Sequence, residues 1–226
     1  MLITETCRAG LATLTLAVCT VVAHAADAPQ IRVVRKVVVE DGVAPGGSAQ
    51  HGHRLRLALG IMSGTGWTAE SVLEATRRAA RILAQCDIRI ATIELTEFEA
   101  PSRYRTLFTP ISRRLAAELG LPRPTVYFVA DTRQQPAFDA EAVGRANSRT
   151  RPEMADSVWI VRGARDPGIV IAHELAHVLA DSGEHSKEDG NLMREETAPG
   201  GTRLTPAQCE KIVKTARANG LLRPAD

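Results

Sequence analysis

The chain has 226 residues, with 28 Lys and Arg against 26 Asp and Glu and a formal charge of +2. Its arginines are scattered rather than gathered in a stripe, and four Phe, two Tyr and two Trp are few for stacking on bases, so a nucleic-acid partner is not expected. The length is enough for one domain with a substantial core, and a monomer is expected.

Arg8 precedes an apolar run over residues 9–23, closed by Ala23-His24-Ala25 with small residues where a signal peptidase needs them. Residues 1–25 therefore read as an export signal. The run is about 15 residues, short of the ~20 that span a bilayer. No second long apolar run follows, so the processed chain is expected to be exported, periplasmic or secreted, without membrane attachment. A lipid anchor on Cys19 would want a small residue where bulky Val18 stands. Cys86 and Cys209 remain after processing, and in an oxidising compartment they are expected to pair, with two buried free thiols as the alternative.

Residues 26–52 read as an N-terminal arm and flexible connector: 31–40 is a β-branched run, strand or arm, and 42–52 is rich in Gly, Ser and Ala. One domain is expected over 53–226. Residues 53–62 alternate as a half-buried strand does. Residues 68–85 carry apolar positions at helical spacing behind Thr68 as N-cap. The alternating run 88–98 should pair with the preceding strand, 110–119 suits a short helix, and 125–130 a buried strand. Residues 140–148 are weakly patterned, and 157–161 form a strong short strand. After the turn Asp166-Pro167-Gly168 a helix opens that should stop near 181–183, where Gly183 suits a left-handed cap. A last helix begins at Thr205 and Pro206 and runs to about Asn219.

The chemistry concentrates in His173-Glu174-Leu175-Ala176-His177. Positions i and i+4 of a helix share a face, so both imidazoles can converge on one metal ion with Glu174 beside it. A catalytic zinc takes three protein ligands and keeps one position open for water. Glu174 is then placed to take a proton from that water and pass it to a leaving amine. For the third ligand, His185 supplies the same ligand type just beyond the helix-breaking Gly183. Asp181 lies on the same helical face if the helix continues, and Glu196 has the spacing of enzymes whose third ligand is a glutamate on a second helix. His51 and His53 read as solvated loop residues.

With His185 and Asn191-Leu192-Met193 downstream, the segment resembles the metzincin metalloproteases, whose signature H-E-x-x-H-x-x-G-x-x-H is followed by a methionine-containing turn. The resemblance is specific over residues 168–193 and extends in outline over 55–221. It implies an α+β, zincin-like domain: a twisted mixed sheet with an edge strand at 140–148, an active-site helix, a Met-turn at Met193 and a C-terminal helix. It implies zinc on His173, His177 and His185, Glu174 as general base, and a protein or peptide substrate that joins the edge strand. Two departures stand out. The third histidine follows His177 by eight positions rather than six, with Ala180 in the family's glycine position and the glycine at 183, so the helix is expected to run almost one turn longer. Arg194 stands where several groups place a tyrosine. The expected function is zinc-dependent endopeptidase; the alternative is a catalytically weak or inactive zinc-binding scaffold that binds a protein partner.

Overall fold

A computed structural model describes residues 30–40, 52–134, 140–145 and 149–225. The expected export signal and nearly all of the connector lie outside the described residues. Of the two readings for the first β-branched run, the strand is what forms: β1 (Arg32–Glu40) pairs antiparallel with β3 (Ile88–Glu99). β2 (His53–Met62) pairs in parallel with β3 on one side and with β5 (Thr125–Val129) on the other. β8 (Ser157–Val161) continues the parallel run, and β7 (Ala140–Val143) closes it antiparallel, giving the order β1-β3-β2-β5-β8-β7. β9 (Leu222–Pro224) adds antiparallel to the start of β2, and β4 (Thr106–Leu107) with β6 (Asp131–Thr132) makes a separate two-stranded pair. The fold is α+β, built on a mixed sheet.

The period-2 alternation of the strands divides the core. Leu57, Leu59, Val126, Phe128, Val158 and Ile160 face one side, where they join the helices α1 (Ala69–Leu83), α3 (Pro167–Ala180) and α4 (Pro206–Ala218). Tyr127, Val129, Trp159 and Val161 face the other side and meet α2 (Thr109–Leu119). Tyr127 and Trp159, paired in register, stack with ring centroids 4.2 Å apart. α1 and α4 begin with capping boxes, Thr68 with Ser71 and Thr205 with Gln208, so hydroxyl and N3 side chains satisfy backbone N–H groups at each helix start.

α3 is buried on almost every side, since among residues 168–179 only Glu174 is not buried. Its start is fixed by Asp166, whose carboxylate accepts from the Ile169 N–H and pairs with Arg78 of α1 at 2.9 Å. Gly168 lets α1 and α3 approach closely: a Cβ there would lie 2.6 Å from the Arg78 Cβ. At the other end the structure departs from expectation. The helix stops at Ala180 rather than running a further turn, and the left-handed cap is Asp181 (φ 45°), whereas Gly183 is not among the left-handed residues. Aspartate is one of the few side chains that tolerate this conformation. Room for it comes from Gly144 just past β7, where a Cβ would lie 2.8 Å from the Asp181 carboxylate. The two extra residues of the spacer thus belong to the loop, not to the helix.

Cys86, at the end of the turn after α1, and Cys209 on α4 form a disulfide with Cα atoms 4.8 Å apart across a sequence separation of 123. Among the described residues no helix is long and apolar enough to cross a membrane. Replacing both cysteines by alanine is expected to cost about 2–5 kcal/mol of stability. Denaturant unfolding of the oxidised protein and the variant checks this, and coincident curves would contradict it.

Candidate metal centre

One turn of α3 separates His173 from His177, and their Nε2 atoms lie 3.0 Å apart. His185 reaches back from the loop after the helix, its Nε2 3.2 Å from that of His177. The three ligand atoms all fall within 4.8 Å of one another, and this is the one such metal-type cluster among the described residues. Asp181 and Glu196 are not part of it. Asp181 caps the helix instead, turned toward Gly144. His53 opens β2, half-buried, rather than lying in a loop, and His51 falls outside the described residues.

The backbone sets the chemical state of the rings. His173 Nδ1 lies 2.7 Å from the Leu192 carbonyl, and His177 Nδ1 lies 2.7 Å from the Ser182 carbonyl. A carbonyl only accepts, so each Nδ1 carries the proton and donates, and each Nε2 is left with its lone pair when the ring is neutral. Burial holds the His173 pKa below its ordinary value. Burial first, and then the neighbouring His173, push His177 down to about 4. Neutral rings whose lone pairs face one another at these distances repel unless a cation lies between them. Tetrahedral coordination with bonds of 2.0–2.1 Å puts ligand nitrogens ~3.3 Å apart, close to the separations of 3.0 and 3.2 Å here. The donor set fits a metal such as zinc, with nitrogen ligands only and outer-ring hydrogen bonds to backbone oxygen.

Glu174, half-buried, lies against β7, where the Ala142 N–H donates to its carboxylate. Burial, reinforced by the charge of Glu141, raises its pKa to about 8 against that hydrogen bond. Glu141 is itself paired with Arg151 at 3.1 Å. β7 is the last strand of the sheet order, so beyond β8 its outer edge has no strand partner among the described residues.

The turn containing Met193 is buried and cross-tied. Ser186 N–H donates to the Met193 carbonyl, Leu192 N–H to the Arg203 carbonyl, and Met193 N–H to the Asn191 side chain. Met193 and His185 line one cavity of about 260 Å³ beside α4. Arg194 pairs with Asp189 on the surface.

Two contributors were not singled out from the sequence. Gln208 of α4 exchanges two amide hydrogen bonds with Asn191, both 3.1 Å, and also completes the α4 capping box. Leu192, whose carbonyl aligns His173, sits between Asn191 and Met193. Thr205 and Pro206 marked the helix start in the sequence, but nothing in that pattern pointed to Gln208 or across to Asn191.

The sequence of the protease HtpX homologue of Syntrophobacter fumaroxidans is 29% identical over 144 residues, covering 63% of this chain and 43% of that protein. The chain therefore spans less than half the length of this curated relative. No protein-family model matches the chain. Among solved structures, metalloproteinase-II from Bacteroides fragilis superposes with a TM-score of 0.48 at 14% identity, over 75% of this chain and 55% of that one.

Two outcomes are expected. The folded state holds the Glu174 proton up to about pH 8, whereas the ordinary value is 4.5. The stability this group contributes is therefore full at low pH and lost as pH rises through that window. In metal-free protein, the melting temperature of wild type should fall relative to Glu174→Gln between pH 5 and 8.5; a gap that stays constant with pH contradicts the assignment. Gln208→Leu should weaken zinc affinity about tenfold in a chelator competition. Thr205→Val, which removes only the cap hydroxyl, should lower the melting temperature without that change. Equal zinc affinities in wild type and Gln208→Leu would refute the link.

Proposed function

We propose that the chain is a zinc-dependent endopeptidase, with His173, His177 and His185 as metal ligands and Glu174 as general base. The observation that carries this reading is the convergence of three Nε2 atoms, with the Nδ1 protons of His173 and His177 committed to carbonyls, on a helix that also carries the half-buried carboxyl of Glu174. The HtpX homologue, named as a protease, is compatible with it.

A zinc ion bound there would supply a Lewis acid that polarises the scissile carbonyl and acidifies water. The remaining chemistry belongs to the chain. The Leu192 and Ser182 carbonyls hold the His173 and His177 rings in one tautomer and one orientation. Glu174 takes a proton from the attacking water onto its carboxylate, and a raised pKa matches that task near neutral pH. It returns the proton to the departing amine nitrogen as the C–N bond breaks. The hydrogen bond from Ala142 keeps the carboxyl beside β7. The free outer edge of β7 offers backbone groups to an extended peptide by strand addition. No covalent enzyme intermediate is needed.

Purified chain should hold about one zinc and cleave unfolded casein. Glu174→Gln should keep the metal and lose roughly 10²–10⁴-fold in rate, and surviving activity would refute the mechanism. His185→Ala should lose the metal. Retention there, with loss in Asp181→Ala or Glu196→Ala, would reassign the third ligand. Bound zinc without hydrolysis of any peptide pool, coupled to binding of a protein partner, would favour the scaffold reading.

A further inference from the structure

Each cysteine of the Cys86–Cys209 bridge follows a glutamine whose amide supports the turn that orients His173. On the Cys86 side, Gln85 clasps the loop before α4 at two points. Its Nε2 donates to the Thr202 carbonyl at 2.7 Å, and its Oε1 accepts from the Leu204 N–H at 3.3 Å. Between those points Arg203 pairs with the turn through its backbone, accepting from the Leu192 N–H at 2.7 Å and donating to the Gly190 carbonyl at 3.0 Å. Leu192 in turn presents its carbonyl to His173 Nδ1. On the Cys209 side, Gln208 exchanges two amide hydrogen bonds with Asn191, whose Oδ1 also accepts from the Met193 N–H.

Two routes therefore run from a Gln-Cys pair to the same turn, and the disulfide fixes their starting points relative to each other. The loop it closes, with a sequence separation of 123, contains His173, Glu174, His177, His185 and Met193. Gln85 is exposed, where water competes for its amide and a hydrogen bond contributes little unless its partners are held together. The covalent bond between Cys86 and Cys209 holds them. Outer hydrogen bonds of a metal-bound imidazole set its orientation, and their loss costs about 10–100-fold in metal affinity. Cys86 is buried and Cys209 half-buried, which makes Cys209 the more accessible end of the bridge.

We propose that the Cys86–Cys209 bridge is a redox switch on the metal centre. Oxidised, it holds the turn so that Leu192 orients His173; reduced, it lets the turn relax and lowers metal affinity. The inference rests on the metal reading of the three histidines. The reductant is a dithiol. One of its thiolates attacks the Cys209 sulfur, the S–S bond breaks, and Cys86 leaves as a thiolate. The second thiolate of the reductant then displaces Cys209 from the mixed disulfide. Two electrons pass to the protein, the two thiol protons end on Cys86 and Cys209, and the reductant becomes a cyclic disulfide.

The full chain, reduced with dithiothreitol and freed of it under argon, should bind zinc about tenfold more weakly than the oxidised chain in a chelator competition. Re-forming the bridge with oxidised glutathione should restore the affinity. Cys86→Ser/Cys209→Ser, which offers zinc no thiol from the bridge, should match the reduced chain. Without zinc, amide exchange of Leu192 and Leu204 followed by NMR should quicken on reduction. Gln85→Leu, with the bridge intact, should weaken zinc binding about threefold by removing the clasp alone. Thr68→Val, which removes a cap at the far end of α1, should lower the melting temperature and leave zinc affinity unchanged. If reduction unfolds the chain, Gln85→Leu decides. Equal zinc affinity in folded oxidised and reduced chains, or in wild type and Gln85→Leu, overturns the proposal. An oxidised wild type that holds no zinc overturns the metal reading beneath it, and no arm depends on hydrolysis.

Discussion

The neutral imidazoles of His173 and His177 face one another through lone pairs that repel, and separations of 3.0 Å between their Nε2 atoms and 3.2 Å from His177 to His185 make sense around a cation. Much of the surrounding fold serves to hold that arrangement. A buried helix fixes two rings by its pitch, and two backbone carbonyls fix their tautomer. One carbonyl comes from the loop just beyond the helix, the other from the buried turn at 191–193. Burial keeps His173 and His177 from protonating near neutral pH, which would otherwise replace coordination by charge repulsion.

The turn at 191–193 is in its turn held by α4. Gln208 clasps Asn191, and the next residue along α4, Cys209, is joined to the end of the α1 segment through Cys86. Gln85, just before Cys86, accepts from the Leu204 N–H and donates to the Thr202 carbonyl. The loop between the turn and α4 is thereby anchored beside Cys86, one partner of the disulfide. A covalent bond far from the histidines in sequence thus bears on the geometry of His173 through a short chain of amides. On the opposite flank, Glu174 is tied to the sheet edge, which sets the proposed base beside the proposed peptide-binding strand.

Much of this was legible in the sequence wherever local periodicity or capping chemistry decides the outcome. The strands at 53–62, 125–129 and 157–161 and the helix starts at Thr68 and Thr205 follow from alternation and side-chain caps. The end of α3 did not follow. Gly183 is the stronger local candidate for a left-handed cap, yet Asp181 takes it because Gly144, distant in sequence, leaves space for its carboxylate. That is a packing decision, and it places the lengthened spacer in the loop that returns His185 to the other two rings.

What the sequence determined by itself is the pairing of His173 with His177 and the placing of Glu174 one step round the helix, because i and i+4 share a face whatever surrounds them. It also held the order of elements. Tertiary structure alone decided that His185 joins the pair while Asp181 and Glu196 stay outside the cluster, and which carbonyls orient the rings. It alone set β9 beside β2, through a strand register that no local pattern encodes. Periodicity acts over a few residues along one element, whereas ligand convergence and cross-strand register depend on how separate elements come to rest against one core.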